Sequence, residues 1–157
     1  MTHRHHIQRA TLEHAEIVAR MAASLLLELS GGARPVSIAD LLPTAKERLQ
    51  DTASFFAYLA FDDASEAVGA ITVSTSAAIY AAGIVGTIHE LYVVPASRSA
   101  AVGAALLSRA VDVGRAFGWN RLEVGAPSQE RWRRTIDFYR ANGFTEIGPR
   151  LGRRLTT

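Results

Sequence analysis

The chain has 157 residues, a mass of 16.9 kDa and no cysteine. Apolar residues make up 48% and charged residues 20%, the balance of one ordinary globular domain with no need of a disulfide or metal staple. The missing cysteines exclude disulfide frameworks, zinc–cysteine sites, iron–sulfur clusters and thiol nucleophiles. No apolar run reaches the about 18 residues that a spanning helix needs. The polar start Met1-Thr2-His3-Arg4-His5-His6 has no apolar signal region, so the cytoplasm is the expected compartment.

The net charge of +2 hides an asymmetry. Up to Ser97 there are 6 basic and 10 acidic residues; from Arg98 onward there are 11 arginines and 5 acids. A basic C-terminal part suits an anionic ligand, either nucleic acid or a polyphosphate. Lys46 is the only lysine against 16 arginines, so a coding bias toward arginine explains the same numbers.

Ile7 to Ala10 reads as a short strand. Thr11 is a candidate N-cap, and Ile17, Val18, Met21, Leu25 and Leu29 give helical spacing over residues 12–29, stopped by Gly31-Gly32. Ser37 caps a second helix to about Gln50, with Pro43 in its early part as a possible late start or break. Phe55–Phe61 and Ala67–Thr75 read as a hairpin around Asp62-Asp63-Ala64-Ser65. Ile84–Val94 is a long β-prone run ended by Pro95. A helix follows to about Phe117 with Gly118 as its stop, then a short strand at Arg121–Val124 and a helix over residues 130–141. Phe144–Ile147 and Arg150–Leu155 read as terminal strands. The order β-α-α-β-β-β-α-β-α-β-β predicts an α/β (α+β) fold with a mixed, mostly antiparallel central sheet flanked by helices, in a single domain over 1–157. The 55–75 hairpin excludes a Rossmann crossover, and no Walker A sequence is present.

Two segments carry chemistry. In Leu91–Leu107 a strand, a proline and an arginine lead into a helix through Ser99, Ala100, Ala101, Gly103 and Ala104, almost without side chains. A helix start of this kind offers unpaired N–H groups and a partial positive charge, suited to a pyrophosphate; close packing of a helix on a sheet needs the same small residues. In Phe138-Tyr139-Arg140-Ala141-Asn142-Gly143-Phe144, Tyr139 is either a satisfied core tyrosine or a positioned proton donor.

Together these segments resemble the GNAT superfamily of N-acetyltransferases. Leu91-x-Val93-x-Pro95-x-x-Arg98-x-x-Ala101-x-Gly103-x-x-Leu106-Leu107 is similar to the family's acyl-CoA motif, and Phe138-Tyr139-x-x-x-Gly143-Phe144 to its later FYxxxGF run. Two positions depart. Ala101 stands where the motif has its first glycine; at a positive φ an alanine is strained, whereas in a helix it only reduces clearance. Trp132 stands where the family often has an asparagine, seven residues before Tyr139. Residues 132, 135 and 139 share one helical face, so Trp132, Thr135 and Tyr139 look the same way.

The resemblance implies acetyl transfer from acetyl-CoA to a primary amine by direct attack in a ternary complex. It implies that the N–H groups of Arg98, Ser99, Ala100, Ala101, Val102, Gly103 and Ala104 hold the pyrophosphate. Arg98 is a phosphate partner, Val93 and Val94 pair with the pantetheine from the strand's outer edge, and Trp132 and Thr135 shape the pocket. Arg133 and Arg140 read as solvated helix arginines. Glu90, a carboxylate in an otherwise apolar strand, is the candidate general base. His89 is the rival, with its side chain on the opposite sheet face by alternation. Tyr139 is the candidate acid for the departing thiolate.

No metal site is expected: His3, His5 and His6 lie in a tail without further ligands. The acceptor is a small-molecule or peptide amine. It is cationic if Glu28, Asp40, Asp62, Asp63 and Glu66 form a negative rim. Neither nucleic acid nor membrane is an expected partner, because the arginines are dispersed and lack interleaved aromatics; the chain is a monomer or a homodimer. The alternative is a non-catalytic acyl-CoA-binding module of the same fold.

Overall fold

The computed structural model describes residues 4–98, 101–126 and 130–156. Two compact units divide the chain, Met1–Glu123 and Val124–Thr157.

The strands are β1 (His6–Arg9), β2 (Phe55–Phe61), β3 (Ala67–Ala78), β4 (Gly83–Val93) and β5 (Arg121–Val124), in spatial order β1-β2-β3-β4-β5. Pairing is antiparallel from β1 through β4. Helices α1 (Ala15–Leu29) and α2 (Ile38–Gln50) fall between β1 and β2, and α3 (Val102–Ala116) between β4 and β5.

Each start and stop has a local cause. A 3-10 turn at Leu12–His14 precedes α1, and the Thr11 N–H donates to His14 Nδ1 at 3.0 Å in a capping box. Gly31 and Gly32, both at positive φ, end the turn after α1. Ser37 Oγ accepts from Ala39 N–H at 3.1 Å and starts α2. Pro43 lies inside α2 without breaking it.

One sheet face packs on α1 and α2: Phe55, Ala57, Leu59 and Ala70 meet Ala15, Val18, Met21 and Leu49, with Tyr92 and Val94 alongside. The other face carries α3. There Gly69 lets Leu106 and Val102 come within 3.0 and 3.2 Å of where a Cβ would stand. Beneath α3, Trp119 packs edge-on to Phe56 with ring centroids 5.2 Å apart.

In the second unit a 3-10 turn at Glu130–Trp132 leads into α4 (Arg133–Ala141), which ends at Asn142 with Gly143 at φ +89°. The expected strands at 144–147 and 150–155 do not form: residues 144–156 hold no regular element. Gly148, Pro149 and Gly152 interrupt the run. Leu151 and Leu155 stand four residues apart with two arginines between them, not in the alternation a half-buried strand needs, and are 91% and 89% exposed.

Candidate active site

The centre of interest is the second half of β4. Val73 lies opposite Ile88 and Thr72 opposite Glu90, so His89 is an extra residue, a β-bulge. Without it His89 would face Thr72. With it Glu90 takes that place, in one cross-strand row with Ala57 and Thr72 on the face that carries α1 and α2.

The bulge overturns the expected placement of His89. Thr72 and Ser74 are two apart on β3 and so share a face. The Thr72 hydroxyl bonds Glu90 Oε2, and Ser74 Oγ shares a hydrogen bond with His89 Nε2. Both side chains therefore lie on one face. Simple alternation fails because the extra residue shifts the phase. Glu90 is half-buried and His89 exposed.

Thr72 is 2% exposed and, aromatic hydroxyls aside, the one buried polar residue among those described. Its Oγ1 donates to Glu90 Oε2 and also accepts from the Glu90 N–H at 3.2 Å. Sequence reasoning missed Thr72 because threonine is an ordinary strand former. The signal was the polar pair Thr72-x-Ser74 in an otherwise apolar run.

Beyond Glu90 the strand leads to the loop before α3. Val94 N–H donates to Val68 O at 2.9 Å, and Val94 O accepts from Ser97 N–H at 2.9 Å. Antiparallel alternation then turns the backbone groups of Val93 and Leu91 away from β3. The outer edge is thus formed by Val93 and Leu91; Val94, expected there, is turned inward. β5 has 4 residues against 11 in β4, so among the described residues part of this edge has no strand beside it. The Val93 carbonyl accepts from Arg98 Nε at 3.0 Å.

Arg98 also meets Glu28 Oε2 through Nη2 at 2.6 Å and lies over the Tyr92 ring, 5.6 Å from its centroid. The Glu28 carboxylate raises the guanidinium's pKa above its ordinary value. Ser99 and Ala100 lie outside the described residues. Ala101 takes φ +59° and ψ 17° as the N-cap of α3, so the glycine-like conformation is kept without the glycine. Ala105 N–H donates to Ala101 O at 3.0 Å, and the N–H groups before it, of Val102, Gly103 and Ala104, have no acceptor inside the helix. Val102 is buried, and Gly103 and Ala104 are half-buried.

In the second unit Tyr139 is 8% exposed, edge-on to Phe138 and Phe144 with centroids 5.3 and 5.4 Å away. Burial pushes its hydroxyl up from 10.0 to about 12. Trp132 is the N-cap of α4, with Arg131 over its ring at 5.2 Å. Trp132 and Thr135 are half-buried. Arg133 pairs with Glu130, and Arg140 with Asp137 and Glu146, all exposed.

The acidic residues are largely occupied locally. Glu28 holds Arg98, and Asp62 Oδ1 accepts from the N–H groups of Ala64 and Glu66, both at 2.9 Å, closing the β2–β3 turn. Among the described residues no group of three His, Cys, Asp or Glu could hold a metal ion. No helix there is long and apolar enough to cross a membrane.

Residues 24–144 match the model of the acetyltransferase (GNAT) family. No curated protein matches the chain. Among solved structures, it is similar to a possible acetyltransferase from Clostridium difficile 630 (TM-score 0.80, 13% identity, 98% of each chain covered). It is also similar to an aminoglycoside acetyltransferase from an uncultured soil metagenomic sample (TM-score 0.76, 18% identity, 98% of this chain and 99% of that one). A third is a ribosomal-protein-alanine N-acetyltransferase from Brucella melitensis biovar Abortus 2308 (TM-score 0.73, 20% identity, 97% and 100%). Identities this low establish the shared fold.

Proposed function

The chain belongs to the acetyltransferase (GNAT) family, and from that premise we propose that it is an N-acetyltransferase moving an acetyl group from acetyl-CoA to a primary amine in the cytoplasm. The observation that carries this reading is one continuous segment, residues 88–104. It holds a bulge that sets a carboxylate on one sheet face, a strand edge longer than the β5 strand beside it, and a helix start whose first N–H groups have no acceptor inside the helix.

That donor set fits acetyl-CoA. The N–H groups of Val102, Gly103 and Ala104 suit a pyrophosphate, and Ala101 adopts the left-handed turn that lets the chain enter the helix around it. Arg98 adds a guanidinium that grips two oxygens. The backbone at Val93 offers the pantetheine a strand edge. When bound, the thioester supplies an activated acetyl group. Glu90 accepts the proton that the acceptor amine must lose, with His89 beside it on the same face as the rival base. Tyr139, kept protonated by burial, gives a proton to the departing sulfur. The whole of 1–157 acts as a single domain, as monomer or homodimer, and the family match runs across the boundary between its two units.

The acceptor is an amine of a small molecule or peptide. The pairing of Glu28 and the turn role of Asp62 leave Asp40, Asp63 and Glu66 to support a cationic one. One observation favours the non-catalytic binding module instead: Ala101 holds a strained φ where a glycine would not.

Thermal melting with acetyl-CoA, with adenosine as control, tests the donor. Saturation at about a hundred times Kd adds roughly 2.7 kcal/mol. Release of CoA thiol is then followed with spermidine, kanamycin, alanine and a peptide bearing a free N-terminal alanine. A shift with acetyl-CoA and turnover of one amine support the reading. A shift without turnover favours the binding module, and no shift at millimolar acetyl-CoA overturns both.

A further inference from the structure

We infer that Thr72 is a positioning residue that holds the Glu90 carboxylate through a two-bond clasp; the inference rests on the reading of Glu90 as the base. Thr72 sits between Ile71 and Val73 in a strand where valine would fit the same space and avoid burying a hydroxyl. A buried hydroxyl is costly unless bonded, and this one makes two bonds, both with Glu90. One ties the Glu90 backbone at the point where the ladder slips, and the other ties its carboxylate. Together they fix the direction of a long side chain that otherwise samples several rotamers. The bulge creates the arrangement, because an uninterrupted register would set His89 opposite Thr72.

The test measures kcat, and KM for acetyl-CoA, by thiol release with whichever of spermidine, kanamycin, alanine or the alanyl peptide turns over fastest. Glu90→Gln, Thr72→Val, Thr72→Ser and the double variant Thr72→Val/Glu90→Gln are compared, each checked by melting. Thr72→Val is expected to lower kcat roughly ten- to a hundred-fold while leaving KM for acetyl-CoA within about two-fold, since the pyrophosphate end is untouched. Thr72→Ser, which keeps the hydroxyl, is expected to retain most of the rate. In the Glu90→Gln background Thr72→Val is expected to add nothing, since the two act as one unit. If Thr72→Val does not fold, Thr72→Ala set against Thr72→Ser carries the same comparison. A slow Glu90→Gln beside a wild-type kcat in Thr72→Val overturns this inference alone. So do losses that multiply in the double variant. A wild-type rate in Glu90→Gln, or no turnover of any amine, overturns the base reading and this inference with it.

Discussion

Arg98 Nη2 lies 2.6 Å from Glu28 Oε2, joining the loop before α3 to the last turn of α1. A carboxylate near a helix C-terminus opposes the helix dipole, so Glu28 gains from the cation. The same guanidinium is the one proposed for phosphate, and the two anions compete for it. An exposed pair is worth about 0.2–1 kcal/mol. Glu28→Gln should therefore tighten acetyl-CoA binding by up to about five-fold, and Arg98→Ala should weaken it by about ten-fold with kcat little changed. Calorimetric titration reads both. Equal affinity in wild type and Arg98→Ala would remove Arg98 from the phosphate site.

Ala101 at φ +59° offers a gain in stability. A left-handed alanine costs about 1–2 kcal/mol, part of which glycine returns through the entropy of the unfolded chain. Ala101→Gly should stabilise by about 0.5–1 kcal/mol, raising Tm by roughly 1–4 °C. Ala101→Val, β-branched at a positive φ, should lower it. A drop in Tm on Ala101→Gly would contradict the conformation.

Trp119 is held between two glycines. A Cβ on Gly86 would come within 2.5 Å of the indole and one on Gly114 within 2.8 Å. The ring is rigid and packed on Phe56, so nothing flexible can give way. Gly86→Ala should cost about 1–3 kcal/mol through overpacking, seen as a lower midpoint in denaturant with altered tryptophan emission. An unchanged midpoint would mean that the strand and the indole do not approach this closely.

Tyr139 ties stability to alkaline pH. Its hydroxyl titrates at about 12 in the folded chain against 10.0 ordinarily. A raised pKa contributes stability that is complete below 10.0 and is lost as pH rises toward about 12. Melting temperature should therefore fall across that window, and Tyr139→Phe should remove this part of the fall. An identical alkaline profile in Tyr139→Phe would place the tyrosine in ordinary solvent.

Much of the fold is legible in the residues. The stripes of α1 and α3, the Ser37 cap and the Gly118 stop each act within a turn or two of chain, so local physics decides them. The terminal strands failed because Leu151 and Leu155 have no alternating neighbours. The site was legible as residue types, since Glu90 stands out in an apolar run. Its geometry was less so. Two polar residues in succession, His89-Glu90 between Ile88 and Leu91, were the trace of the bulge, yet such a pair is equally compatible with a strand whose outer face is wet. The partnership of Arg98 with Glu28 joins positions 70 residues apart, which no local pattern encodes.

The extra residue at position 89 also makes β4 a strand of two phases. Before it, Gly86 and Ile88 look toward the α3 side; after it, Leu91 and Val93 do, so the parity of inward positions changes from even to odd. Each half keeps its own alternation. The hairpin tip around residues 76–86 can therefore be exchanged or redesigned without re-aiming anything from Glu90 onward. Deleting His89 would restore a regular ladder, with Ile88 still opposite Val73, Glu90 still opposite Thr72 and the faces of both halves kept.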